Sequence, residues 1–167
     1  MRFIIPTVLP IVMAAVSCSC SSNHGTPLPR VSACGGTVTA QGQIDSAAFS
    51  ADYVRVEGVN GNTIVVYIAE TAKAPELSLQ LARDAAGAFP TGGVANSQAA
   101  LYDPNRVGTA QLNVTSVVDP YDASGSPLVN ADGGSVGSID ATFTATFTGA
   151  TISGSFSSPV CDTTVKI

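Results

Sequence analysis

The stretch Gly133-Gly134-Ser135-Val136-Gly137 comes nearest to a known reaction motif. It fits G-x-S-x-G, in which a sharp strand-to-helix turn exposes a nucleophilic serine, with an acid and a histidine downstream. A serine hydroxyl attacks only with a base in reach. The single histidine, His24, lies far upstream in a Ser/Pro-rich stretch, and an alternating strand pattern follows Gly137 instead of a helix. The match therefore reads as a glycine-rich entry to a strand. Paired carboxylates, as in glycosidases, offer a second route. Acidic residues are sparse, 12 in 167, and no pair stands out by spacing. Asp52, Glu57, Glu70 and Glu76 read as solvent-facing or turn residues, and Asp140 falls on the outer face of its strand. A hydrolase working through carboxylates alone is the least favoured function.

Binding chemistry has two further sources. The loop from Asp119 to Gly134 supplies Asp119, Asp122, Asn130 and Asp132, and oxygen-rich loops can hold calcium. Their spacing is not that of an EF-hand, and Asp-Pro, Asn-Ala-Asp-Gly and Gly-Gly are ordinary turn chemistry. Without tryptophan, stacking on a ligand would fall to Tyr53, Tyr67, Tyr102 and Tyr121. Of these, Tyr121 alone lies in the polar loop, whereas Tyr53 and Tyr67 also read as sheet residues. No phosphate loop, dinucleotide fingerprint or Cys-x-x-Cys motif is present, so no cofactor is expected.

The elements that must position these residues are strands. From Ser138, Ile139, Ala141, Phe143, Ala145 and Phe147 alternate with Asp140 and a series of threonines. After Gly149-Ala150, Ile152, Gly154, Phe156, Ser158 and Val160 alternate with Thr151, Ser153, Ser155 and Ser157. A period of two places each set on one face. Gly149-Ala150 as a type II′ turn would pair Phe147 with Ile152, Ala145 with Gly154 and Phe143 with Phe156. The small pair Ala145 and Gly154 would then let another sheet approach closely.

Further strands are expected over Gly36 to Ile44, Phe49 to Glu57, Thr63 to Ala69, Pro75 to Ala82, Val94 to Tyr102 and Thr109 to Val118. Asn60-Gly61 marks a hairpin of undecided register. Both faces of Thr63 to Ala69 are apolar, which makes that strand central. A helix with Pro75 at its first position also fits, with Leu77, Leu81 and Ala85 on one face, and the strand reading leaves room for a single helical turn near Arg83 to Ala86. Clean alternation and the nearby Gly87, Pro90, Gly92 and Gly93 favour a strand. About eight short strands with turn residues between them predict an all-β, antiparallel β-sandwich, with a β-barrel as the alternative.

The N-terminus reads as an address. Met1-Arg2 precedes an apolar run from Phe3 to Val16, shorter than the ~18–20 residues that span a bilayer. Small residues follow, as in a secretory signal. Ala15-Val16-Ser17-Cys18 resembles the lipobox of bacterial lipoproteins, and the mature chain loosely resembles uncharacterised exported lipoproteins that end in a Thr/Ser-rich hairpin and a terminal cysteine. The resemblance implies cleavage before Cys18, a diacylglyceryl thioether on its sulfur (Cys20 being the alternative site), and sorting to the outer membrane. The organisation that follows is residues 1–17 as signal peptide, 18–32 as a lipidated flexible linker, and 33–167 as one domain.

Loss of Arg2 from the 7 basic residues leaves 6 against 12 acids, a mature charge near −6. Such a chain lacks the Lys/Arg clusters of a nucleic-acid or polybasic membrane surface. In an oxidising compartment Cys34 and Cys161, at opposite ends of the domain, would form a disulfide. Two unpaired thiols, or a pairing through Cys20, are the alternatives. The function expected is a lipid-anchored cell-envelope β-domain with a structural or binding role. The alternative is a small-ligand or carbohydrate-binding lipoprotein, its protein or glycan partner unnamed by the sequence.

Overall fold

The structure, a computed structural model, describes residues 35–70, 77–102, 105–131 and 136–164. The signal, lipidation and linker assignments of residues 1–32, with Cys18, Cys20 and His24, lie outside them. So do Cys34, Glu76, Asp132 and Ser135.

The described chain is all-β. Its strands are β1 (Thr37–Ile44), β2 (Ala47–Ala51), β3 (Tyr53–Val59), β4 (Thr63–Ala69), β5 (Leu77–Ala82), β6 (Val94–Tyr102), β7 (Asn105–Val118), β8 (Ser138–Phe147), β9 (Ala150–Pro159) and β10 (Asp162–Thr164). They form one sheet in the order β10-β3-β4-β5-β6-β7-β8-β9-β1-β2. Only the β10–β3 pairing is parallel.

This is the barrel-like form of the all-β expectation, one nearly closed sheet in place of two facing ones. The closing device is the strand read as Phe49 to Glu57. It is two strands, β2 and β3, with Asp52 alone between them. Its first half pairs with β1, Ala51 opposite Ala40. Its second half pairs with β4, Tyr53 opposite Ala69. One bent strand thus belongs to both ends of the sheet. β9 runs on into β10 in the same way, leaving β1 at Ser157 and joining β3 at Asp162. Closure of this kind removes the exposed edges that invite pairing with other chains.

The interior is filled. Val54, Val56, Ile64, Ile68, Leu77, Leu79, Leu101, Leu112, Ile139 and Ile152 are fully buried and belong to one continuous core. Alternation is strict where the sheet is most regular: in β8 and β9 the apolar series is buried and nearly all of the Thr/Ser series faces out. β4 matches its expected bounds and does bury residues on both faces, Val65 included. Leu77, Leu79 and Leu81 all point inward from a strand, which rules out the helical reading of that stretch.

One turn differs from expectation, and a second settles a register that the sequence left open. At the β8–β9 hairpin Phe147 pairs with Ala150, Ala145 with Ile152 and Phe143 with Gly154. Thr148-Gly149 is therefore the turn, with positive φ at Gly149, its second residue, where a II′ turn would need it at the first. A slip of two residues keeps every side chain on its face, so the apolar pattern cannot detect it. The tip is held from outside: Asp45 N–H donates to Gly149 O at 2.9 Å, and Arg106 Nη1 donates to Thr148 O at 2.6 Å while Nη2 pairs with Asp45. At the β3–β4 hairpin Val59 faces Thr63, a three-residue loop with Asn60 and Gly61 both at positive φ.

Candidate functional site

Three connections converge at one end of the barrel: 60–62 between β3 and β4, 83–93 between β5 and β6, and the loop after β7. Between them lies an open groove of about 670 Å³, with Asn60, Asn62, Asp122 and Ser124 on its walls. Arg83 organises it. Its Nε donates to Gly61 O at 3.0 Å and its Nη1 to Gly87 O at 2.5 Å. Its Nη2 reaches both carboxylate oxygens of Asp119, at 2.8 and 2.7 Å. The guanidinium also lies over the Phe89 ring, 4.7 Å from the centroid, a cation–π contact. One side chain thus ties all three connections. The helical turn that Arg83 to Ala86 would allow is absent. Instead the Asp84 carboxylate accepts from the amides of Ala86 and Ala88, at 2.9 and 3.0 Å.

Arg83→Met keeps the aliphatic stem but leaves the Gly61 and Asp119 acceptors without their donor. It is expected to lower the unfolding free energy by about 2 kcal/mol. Arg83→Lys should recover only a minor part, because an ammonium cannot reproduce the planar fork. Urea unfolding measures both, and wild-type stability in Arg83→Met would show that the connections hold without it.

Asp122 caps its own loop. Its Oδ1 accepts from the Ser124 hydroxyl at 2.6 Å and from the amides of Ser124 and Ser126 at 2.8 and 2.9 Å. The Ser124 hydroxyl first, and then these amides, hold the carboxyl below the ordinary aspartate value. A carboxylate so stabilised is a weak base, so the Ser124–Asp122 contact is a turn cap and not an activated nucleophile. Of the calcium candidates, Asp119 is paired with Arg83 and Asp122 is turned into its own loop. Among the described residues no three His, Cys, Asp or Glu side chains gather in metal-binding geometry.

The tyrosines divide otherwise than the sequence implied. Tyr121, expected on the loop surface, is buried at 3 % exposure and belongs to the core; burial raises its pKa. Tyr53, Tyr67 and Tyr102 are only partly covered, on the outer faces of β3, β4 and β6. Tyr102 Oη donates to Ser78 Oγ at 3.2 Å, beside the Arg55–Glu57 ion pair at 2.8 Å. Burial, then the Glu57 carboxylate and the Tyr102 phenol, push the Tyr67 phenol from 10.0 up to about 12, with Arg55 pulling the other way. Above pH 10 the unfolded chain gives up this proton while the folded one keeps it. Stability that is fully present below pH 10 should therefore fall as pH rises towards about 12. Tyr67→Phe should flatten that decline in urea midpoints taken across the window; an unchanged slope would assign it to other groups.

Arg83 carries no motif in the sequence: Gly87 is four residues away, but the partners that join it to the other two connections are 22 and 36 residues away. The Gly-x-Ser-x-Gly stretch contributes nothing that can be placed at the groove, because Ser135 lies outside the described residues. The chain matches no family model, no curated protein and no solved structure.

Proposed function

We propose that this protein is a lipid-anchored domain of the cell envelope with a structural or binding role. Cys18, or alternatively Cys20, carries the anchor at the outer membrane, and the groove around Arg83 receives the partner. One observation carries this reading. The barrel-like sheet turns its apolar side chains inward and a polar Ser/Thr/Gln surface outward. Membrane-spanning barrels have the reverse arrangement, an apolar outer belt. A lipid on Cys18 or Cys20 would hold such a domain at a bilayer without requiring an apolar belt on the sheet. The described residues form one continuous apolar core inside the sheet, and recognition is assigned to the exterior and to the loops at the barrel end.

Fractionation of cells producing the full chain tests the anchor. Wild type is expected in the outer-membrane fraction and Cys18→Ala in the soluble fraction. Release by Cys20→Ala alone would move the anchor to Cys20. Membrane retention by the Cys18→Ala/Cys20→Ala double variant would overturn lipid anchoring.

A further inference from the structure

The barrel has a second hollow, on its side and away from the loop groove. It measures about 290 Å³ and lies over β1, β9 and β8. Register places its side chains in two rows across the strands. Thr39, Ser155 and Thr142 form one, and Thr37, Ser157 and Asp140 the other. Strand geometry sets neighbours within a row about 4.8 Å apart and the two rows about 6.8 Å apart. Thr39 and Ser155 hydroxyls are bonded to each other at 3.1 Å. A β-bulge interrupts β7 between Val114 and Ser116, and beside it Thr115 Oγ1 donates to Asp140 O at 3.1 Å. Bulges of this kind re-aim side chains next to functional sites.

The surroundings are as informative as the hollow. Outward positions run from Thr109 to Thr115 on β7, Asp140 to Thr146 on β8, Thr151 to Ser157 on β9 and Thr37 to Gln43 on β1. They hold threonine, serine, glutamine and asparagine, and Asp140 is the sole ionisable side chain among them. Phosphate polymers and anionic lipid require lysine and arginine, which this face lacks. A protein partner requires large apolar or aromatic anchors, also lacking. What remains is a neutral molecule rich in hydroxyls. Every serine and threonine here can both donate and accept, and one carboxylate can accept from two neighbouring hydroxyls through charge-assisted bonds.

We propose that the hollow around Asp140 is a binding site for a neutral glycan chain, with Asp140 accepting from a vicinal diol and the Thr/Ser rows tracking the sugar hydroxyls. This goes beyond the reading above, since it adds a second site that shares no lining residue with the loop groove. Repetition along the rows suits a polymer, whose units add weak contacts without further loss of translational freedom.

The test is calorimetric titration of the full chain in detergent micelles with short neutral oligomers of glucose, of mannose and of N-acetylglucosamine. At least one series is expected to bind. Asp140→Asn should weaken it about tenfold, the loss of one charge-assisted bond. Thr142→Val, which keeps the side-chain shape, should weaken it less and in the same direction, with an unchanged melting temperature for both variants. Glu70→Gln, at an exposed carboxylate outside both hollows, should bind as wild type does, and Asp122→Asn is made beside it to read the loop groove. Absence of binding by all three series, or equal binding by Asp140→Asn, would overturn the site. Binding lost in Asp122→Asn but kept in Asp140→Asn would place recognition in the loop groove, removing this inference and leaving the broader role intact.

Discussion

Gly154→Ala should lower the unfolding free energy by about 3 kcal/mol, the upper end of what overpacking costs. Gly154 lies in the inward-facing series of β9, between Ile152 and Phe156, and pairs with Ala40 of β1. A methyl there would fall well inside the Thr39 carbonyl oxygen and 2.8 Å from Ala40 Cα. Both are backbone atoms, so no side-chain rotation relieves the clash. The same strand pair holds Gly42, opposite Ile152, whose added methyl would meet the Thr151 carbonyl and lie 2.8 Å from Ile152 Cα. Two inward glycines on adjacent strands let the backbones approach closely, and glycine at such points permits bending of a closing sheet. Gly93→Ala is the matched control: nothing lies within 4 Å of an added methyl, and its φ is not positive. That variant should be neutral or slightly stabilising through the unfolded chain. If urea midpoints of the two variants coincide, curvature at the β1–β9 pair does not depend on Gly154.

The same glycine shows where sequence reading stops. Alternation gave Gly154 an inward position, which is correct. It assigned the close approach to a second sheet, whereas the backbone that crowds Gly154 belongs to the neighbouring strand of its own sheet. A two-residue period reports the face of each side chain and carries nothing about how far the sheet curls. β4 was legible to the residue because both its faces are apolar and turn residues bound it. The break at Asp52 left a trace that the single-strand reading passed over: the buried residues before it, Phe49 and Ala51, are out of phase with Val54 and Val56 after it, which one regular strand does not allow. β10 escaped notice because Asp162, Thr163 and Thr164 offer three polar residues and no apolar face. The groove was half legible. Asn60-Gly61 and Asp119-Pro120 announced turns, whereas Asp122 was weighed for calcium and not for the cap it forms, and Arg83 acquires its role only when two distant connections meet its own. Tyr121 was misplaced because a polar neighbourhood in sequence was taken for an exposed one in space.

Cys161→Ser should cost about 4 kcal/mol if, as we propose, Cys161 is bridged to Cys34. The described chain brings the two ends together. Gly36, two residues after Cys34, is packed so closely on Ser158 and Val54 that an added methyl would lie 2.6 Å from Ser158 Cβ. Cys161, three residues beyond Ser158, donates its amide to Val56 O at 2.7 Å as the chain turns into β10. A bridge here would close nearly the whole domain into one loop, and its chief effect would be on the unfolded chain, whose ends it would hold together. Native pairing of β1 with β9 does not diminish that effect, because those bonds are absent when the chain is unfolded. Three variants then share one outcome. Cys34→Ser, Cys161→Ser and the double substitution should be equally destabilised, since either cysteine without the other forms no bridge, and the two single costs should fail to add. Wild type in reductant should match all three. Equal urea midpoints for oxidised and reduced wild type would remove the bridge. A cost for Cys161→Ser without one for Cys34→Ser would transfer the pairing to Cys20.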